Sequence, residues 1–405
     1  MKTIHLVTDP ISPVVHSQVL ENVLDLINRG ENIEVIFFLQ LRHYFKNGAE
    51  TRNKLNELGI PSSVYLVPFQ TRAVGKIFAC ICLLWAIKTS FKQEVIIHCR
   101  GLRTSVFALM VKKIIKNKSV IYDVRGDYLA ELEFSGADQI DLDKIAKTES
   151  YCLSKVDHAI FVSEHLRKTI LDRYNIDALP SEVIYCSANE SKAAFNQQER
   201  DRIRKEAGYT NELVFIYSGS VGLWHCLDKV IDVFEAIELQ YPDARFLFLT
   251  NQKAEASDLV SNSEIKDKSK VINVTPDEVG SWLSASDVAI IIRKNHPLNF
   301  AASPVKVAEY MINGLPLIIS DAIKDYSSMI EESNNGLVVT EEMLFSPPLL
   351  KISLGEFTQE TWRGNRNRYE NDSLNKLTRS YSVNKILNIY SGLSSTAWSS
   401  DEYLK

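Results

Sequence analysis

Several things are missing from this sequence. Cysteine is scarce and scattered: six residues, Cys80, Cys82, Cys99, Cys152, Cys186 and Cys226, include no Cys-x-x-Cys pair. That pattern argues against a zinc knuckle and offers no disulfide framework, so a reducing cytoplasm suits the chain. Positive charge is in deficit, with 46 Lys and Arg against 51 Asp and Glu, a net charge of -5 and a pI near 6.0. A general nucleic-acid binder needs a basic surface to neutralise phosphates, so no nucleic-acid partner is expected. Long apolar runs are also missing. The most apolar stretch, IFACICLLWAI from Ile77 to Ile87, falls well short of the roughly 20 residues that span a bilayer and reads as a helix. The opening MKTIHLVTD has no basic lead, apolar centre and small-residue cleavage site, and reads as a buried strand rather than a signal peptide. No short-period repeat or low-complexity tract is present.

What is present is a strand-and-helix alternation that occurs twice. With 405 residues, the chain exceeds the roughly 250 to 300 at which single cores stop growing, so two domains are expected. In the first half, β-branched apolar runs at 4–9, 33–39, 63–67, 94–99, 119–124, 158–163 and 182–186 alternate with segments of helical period. The pattern restarts at 213–219 and continues through 244–250, 270–274, 287–293, 315–320 and 336–340. Such alternation predicts an α/β class with parallel, doubly wound sheets. The polar stretch SANESKAAFNQQERDRIRKEAG between the halves reads as a linker and surface helix, which puts the boundary near residue 190. The expected division is 1–190, 191–380 and a final helix and tail at 381–405. The apolar-periodic segment at 382–393 of that last piece is expected to cross back to the first domain, and the tail after it to fray.

Two segments point to chemistry. In SPVKVAEYMINGLP, Ser303 suits an N-cap, Pro304 the first helical position and Gly314 the stop. The helix would begin near the carboxyl ends of the strands, where open α/β sheets bind ligands. Its free N-H groups favour phosphate, Lys306 and Arg293 could add full charges, and Glu309 could reach past the phosphates to a sugar hydroxyl. An ordinary capped helix with a surface glutamate is the plainer reading. In YSGSVGLWHCLDKVIDVFEAI, a strand ends at Tyr217 and Gly219-Ser220-Val221-Gly222 turns the chain into an amphipathic helix. Glycines there let a backbone approach phosphate, although similar turns also simply join strand to helix.

These residues resemble the retaining glycosyltransferases of family 4, which have the GT-B fold. The resemblance rests on SGS-x-G after a strand, FLFLT, Arg293 and SPVKVAEYMINGLPLIIS. In the first half it rests on PISPVVHSQVLENVLDLINRG, IYDVRGDY and AIFVSEHLRKTI. It implies two Rossmann-like domains facing across a cleft, the acceptor on the first and the nucleotide-sugar on the second. By position, Glu309 matches the second of two donor-site glutamates, and the first falls on Ala301. Ser303, Pro304 and Val305 match the turn whose amides hold the diphosphate. The family's Arg and Lys after the first strand of the second domain fall on Ser220 and His225, and its catalytic His on Arg125. An arginine cannot act as a base but can steady a leaving diphosphate. Ser12, His16 and Asp123 are the residues expected on the acceptor side.

The resulting expectation is a cytoplasmic enzyme of cell-surface polysaccharide synthesis. It would move a hexosyl group from a nucleotide-sugar to a glycan or lipid-linked acceptor, with retention and without a metal or other cofactor. A sugar-nucleotide epimerase, or a weakened relative acting as a sensor or assembly partner, are the rival readings. Asp141-Leu142-Asp143 has metal-site spacing but reads as a helix start. His98 and Cys99 read as packed core. Basic residues at Arg72, Lys76, Lys88, Lys92, Lys112, Lys113, Lys116 and Lys118 flank the apolar 77–87 segment. They allow either a buried helix with solvated lysines or peripheral contact of 72–92 and 112–118 with the inner face of an anionic membrane.

Overall fold

The computed structural model describes residues 1–68, 72–88, 93–115, 117–222, 224–366, 369 and 371–400. The chain forms two compact units, one of Met1–Ile184 with Ser382–Lys405 and the other of Tyr185–Tyr381. The first contains β1 (Lys2–Val7), β2 (Asn32–Leu39), β3 (Ser62–Leu66), β4 (Val95–Arg100), β5 (Lys118–Val124), β6 (His158–Phe161) and β7 (Ser181–Val183). They form a seven-stranded sheet in the order β3-β2-β1-β4-β5-β6-β7. The second contains β8 (Val214–Ser218), β9 (Arg245–Leu249), β10 (Ser269–Ile272), β11 (Val288–Ile291), β12 (Leu317–Ser320) and β13 (Gly336–Val339). Its order is β10-β9-β8-β11-β12-β13. Every pairing in both sheets is parallel. The α/β class and doubly wound sheets expected from the sequence are therefore present.

The sequence reason is direct. A parallel sheet is covered by helices on both faces, so its strands read as continuous apolar runs rather than alternating ones. Phe37, Phe38 and Leu39 in β2 and Phe215 and Ile216 in β8 are fully buried. Each unit also solves one problem in the same way. The aspartate before an inner strand, Asp157 ahead of β6 and Asp287 ahead of β11, accepts from the first amides of the neighbouring strand. Asp157 takes Val120 N-H at 2.7 Å and Asp287 takes Val214 N-H at 2.9 Å. Lys112 pairs with the first at 2.5 Å, and Arg200 at 2.6 Å and Arg204 at 3.3 Å with the second. A carboxylate at a strand start satisfies a donor that lies before the ladder begins.

In both sheets the strand order reverses direction at one place, between β1 and β4 and between β8 and β11. In open α/β sheets the crevice outside the carboxyl ends at that point is where ligands bind.

The last helix, Arg379–Ser400, is longer than the expected 382–393 and runs on into the segment expected to fray. From Ser382 it belongs to the first unit. Val383, Ile386, Ile389 and Tyr390, one helical face, are buried in that unit's core. Burying one such side chain contributes about 1.5–3 kcal/mol against about 1 kcal/mol for a hydrogen bond, so packing holds the helix. Polar contacts set its register. The Tyr390 hydroxyl lies 2.7 Å from His5 Nε2 and 2.9 Å from His98 Nδ1, and the two rings stack at 4.4 Å. A single O-H can donate only once, so one ring accepts from Tyr390 and the other donates to it.

Burial lowers the pKa of His98 to about 3, aided by Arg125 and Arg100, and lowers that of His5 well below 6.5 with His98 assisting. Both rings bind protons more readily in the unfolded chain. Their contribution to stability is therefore complete above 6.5 and is lost as pH falls below it, for His98 down to about 3. The unfolding temperature should drop steadily between about pH 7 and about pH 4; a flat profile would contradict neutral buried rings. Tyr390→Phe should cost about 1–3 kcal/mol in denaturant unfolding at neutral pH, because it strands two buried ring nitrogens.

Candidate active site

The second unit gathers its charged and glycine-rich residues at the carboxyl ends of β8, β11 and β12. β8 ends at Ser218, and the turn that follows is shaped by a tyrosine. The Tyr217 hydroxyl donates to Ser220 O at 2.7 Å, and a Cβ on Gly219 would sit 2.6 Å from that hydroxyl. Gly219 is thus required by the folded-back ring of its neighbour, while its N-H donates to Leu249 O at 3.0 Å. Further on, Val221 N-H donates to Gln252 Oε1 at 2.8 Å.

The turn leads into the helix Leu227–Gln240 through Cys226, whose φ of 48° and ψ of 51° are left-handed. Such a conformation in a residue with a Cβ costs roughly 1–2 kcal/mol and is typical of functional turns. No side chain caps that helix, so its first amides have no carboxylate or hydroxyl cap of their own.

Arg293 lies two residues beyond β11, which stops short of the 287–293 run expected from the sequence. Its amide donates to Ser320 Oγ at 2.9 Å, which fixes the backbone to the end of β12. Its guanidinium bonds His225 Nδ1, and its Nε is buried without a hydrogen-bond partner. Tyr217, Tyr310 and Cys226 are its other electrostatic neighbours, and burial lowers its pKa from the usual value, although a guanidinium still stays charged in a protein. His225 is neutral, its pKa brought down to about 3 by burial and then by Arg293. Among the described residues no carboxylate pairs with Arg293. This is a largely buried cation whose side-chain partner is uncharged.

The helix Val305–Ile312 is tied to the same edge. Tyr310, fully buried, accepts from Ser218 N-H at 2.8 Å. The expected N-cap is corrected: Pro304, in extended conformation, is the cap residue, and Ser303 is not. The Ser303 hydroxyl is committed elsewhere, accepting from Cys186 N-H at 2.9 Å and meeting the Tyr326 hydroxyl at 3.1 Å. The start of this helix therefore has no side-chain cap either. Lys306 and Glu309 remain partly exposed and pair with each other at 2.9 Å, so each answers part of the other's charge. Ala301 is 1% exposed; that position offers no carboxylate to a ligand.

In the first unit, Asp123 is the penultimate residue of β5 and Arg125 follows the strand. The Asp123 carboxylate lies 3.4 Å from Arg125 Nη1, 3.9 Å from Arg100 Nη1 and 3.9 Å from His98 Nε2. Ser12 and His16 sit after β1: Ser12 caps the helix Pro13–Val15, accepting from Val15 N-H at 3.2 Å, and His16 opens a π-helical turn. His16 lies 3.9 Å from Glu21. Asp141 lies in the first turn of the helix Gln139–Leu153 and Asp143 just after it, paired with Lys144 and Gln139 respectively.

Sequence reasoning missed Tyr217 and Tyr310, which shape the turn and anchor the helix, and Ser320, which holds Arg293. It also missed Arg100. An arginine closing the otherwise apolar VIIHCR strand at its carboxyl end was a readable signal; the tyrosines carried none, because a strand or helix tyrosine is ordinarily core.

Residues 198–344 match the family model described as glycosyl transferases group 1. No curated protein sequence matches the chain. Many solved structures are similar to it, among them three that match over nearly all of the chain. Anabaena HepE, crystallised with UDP, is 15% identical, covers 97% of this chain and 100% of its own, and has a TM-score of 0.73. A glycosyltransferase from Rickettsia africae is 14% identical over 97% and 98%, with a TM-score of 0.71. An S. aureus TarM variant, solved with fondaparinux, alpha-GlcNAc-glycerol and UDP, is 11% identical over 97% and 99%, with a TM-score of 0.68.

Gly219→Ala should force Tyr217 off Ser220 and reshape the turn. Loss of about 1–3 kcal/mol of stability in denaturant unfolding is expected, and an unchanged protein would show that the turn has slack. The fold of the chain is that of the GT-B glycosyltransferases, with the group 1 match falling on the unit that carries Arg293.

Proposed function

We propose that the chain is a glycosyltransferase that binds a nucleotide-sugar at the carboxyl edge of its second sheet. One observation carries the reading: Arg293, a largely buried guanidinium at the β8/β11 switch point, has a neutral histidine and no carboxylate beside it. A buried cation is stable when an anion answers it, and a diphosphate has the charge and the acceptor oxygens to do so. Arg293 supplies the cation that the family resemblance expects at Ser220 and His225, with His225 holding it in place. HepE and TarM, both crystallised with UDP, support UDP as the first probe.

In this reading the uncapped amides at Val305 and the Lys306 ammonium add to Arg293 on the diphosphate, and Glu309 accepts hydrogen bonds from the donor's ribose. Ser303 and Pro304 act by shaping that turn. The charge that develops on the leaving diphosphate is met by fixed donors, so the chemistry calls for no metal. Arg125 is the residue assigned to turnover on the first unit, with Ser12, His16 and Asp123 facing the acceptor. Transfer with retention, a hexosyl donor, and a glycan or lipid-linked acceptor in cell-surface polysaccharide synthesis complete the proposal. The enzyme would work in the cytoplasm, in peripheral contact with a membrane.

Buried Ala301, where the resemblance places a glutamate, favours a second reading: a binding protein with little turnover. UDP binding without transfer from UDP-sugars across a panel of glycan and lipid-linked acceptors would establish it.

Arg293→Ala should weaken UDP binding in calorimetry by about tenfold to a hundredfold, the loss of a charge-assisted contact. Unchanged affinity would remove the phosphate site from this edge. Lys306→Ala should lose less, because Glu309 already offsets its charge. Arg125→Ala should lower kcat while leaving UDP affinity within about twofold; equal losses in both would count against its role in turnover.

A further inference from the structure

The helix Ala73–Ala86 is folded inside out for a soluble protein. Its small side chains face the core: Gly75, Ala79, Cys80 and Cys82 are buried, with Leu83 the one large residue among them. Its large apolar side chains face outward. Val74 is 70% exposed, Ile77 53%, Phe78 43%, Ile81 57% and Trp85 60%. Spacings of three, one, three and four residues place all five on one stripe. Of the two readings the sequence allows, the exposed stripe excludes a fully buried helix with only its flanking lysines solvated. Isolated surface apolar residues are ordinary, but a contiguous stripe rimmed by polar groups marks an interaction surface.

Charge identifies the occupant. Residues 72–88 and 101–115 contain no Asp or Glu, in a chain whose net charge is -5. Arg72 and Lys88 are exposed at the two ends of the stripe. The neighbouring helix Leu102–Lys112 continues into exposed Lys113 and Ile114. Lys88 Nζ lies 4.2 Å above the Trp85 ring and Lys113 Nζ 5.1 Å above Tyr151, so the ammonium groups stand over aromatic rings at the rim. Lys92 and Lys116 lie outside the described residues. Fourteen residues at 1.5 Å each make a helix of about 21 Å, too short to cross a bilayer. No helix among the described residues is long and apolar enough to do so.

We propose that this face lies flat on an anionic lipid surface. Val74, Ile77, Phe78, Ile81 and Trp85 would enter the acyl boundary, with Arg72, Lys88 and Lys113 on the phosphates. An amphipathic helix with an aromatic residue and basic rim binds in this way, by apolar burial and by attraction to anionic headgroups together. A second copy of the chain fits less well, because a symmetric pairing would set the same cations against each other. The inference gives residues and a lipid class to the membrane-contact part of the proposed function, and it rests on the exposed stripe rather than on the donor site.

The test is co-sedimentation of the full chain with vesicles of phosphatidylcholine alone or mixed with phosphatidylglycerol. Binding to the mixed vesicles, weaker on phosphatidylcholine and weakened by salt, is expected. Ile81→Ser with Trp85→Ser should reduce it at least tenfold, and Lys88→Glu with Lys113→Glu should abolish the preference for phosphatidylglycerol. Circular dichroism and UDP calorimetry on the same variants should be unchanged, which keeps loss of fold and failure of the donor reading separate from failure of docking. Absence of vesicle binding by the folded protein overturns the proposal. So does binding indifferent to the Ile81 and Trp85 changes, or a dimer in size-exclusion chromatography that those changes dissociate.

Discussion

The constraint on which the rest depends is that both sheets are wholly parallel and covered on both faces. Strands in that position can carry almost nothing but apolar side chains, so polar chemistry is driven to the sheet edges. At the carboxyl edge of the second sheet this places the ends of β8, β11 and β12 side by side, and with them the Gly219 turn, Arg293 and Ser320. At the carboxyl edge of the first it places Arg100, Asp123 and Arg125. The opposite edge receives the structural charges, Asp157 and Asp287, whose carboxylates hold the first amides of neighbouring strands.

The two edges differ in how their charges are answered. Asp287 is surrounded by Arg200 and Arg204 and accepts a backbone amide as well; that arrangement is closed. Arg293 has His225, which burial keeps neutral, and an Nε with no partner; that arrangement has positive charge to spare. A buried ion with its counter-ion beside it contributes to the architecture, whereas one without it is stable only if the surroundings or a ligand supply the difference. The left-handed Cys226 and the uncapped helix starts nearby add to the same imbalance. Together they separate an edge with positive charge to spare from an edge where charge merely staples strands.

The turn after β8 shows how closely packing and conformation are coupled there. Gly219 is not needed for a positive φ; it is needed because the Tyr217 ring folds back to donate to Ser220 O and leaves no room for a Cβ. Tyr310 then reaches from its helix to the Ser218 amide and ties that helix to the strand end. Both tyrosines are also electrostatic neighbours of Arg293.

From the sequence alone, apolar runs and helical periods placed all thirteen strands within a few residues and identified two doubly wound units. The return of the last helix to the first unit was expected, and from Ser382 the helix belongs to that unit. These features were legible because they follow from local periodicity and from burial on both faces of a sheet. Arg293 was legible as a candidate because it closes a buried apolar run, and Lys306 and Glu309 because they lie on the helix opened by Ser303 and Pro304. What the sequence could not decide was which partners those residues take. That Ser303 serves Cys186 and Tyr326 rather than the helix, that Lys306 pairs with Glu309, and that the large side chains of 73–86 face outward all depend on residues far apart in the chain or on which helical face meets the core. Those choices are settled only when the elements pack, because hydrogen bonds and burial are shared among groups that sequence spacing does not bring together.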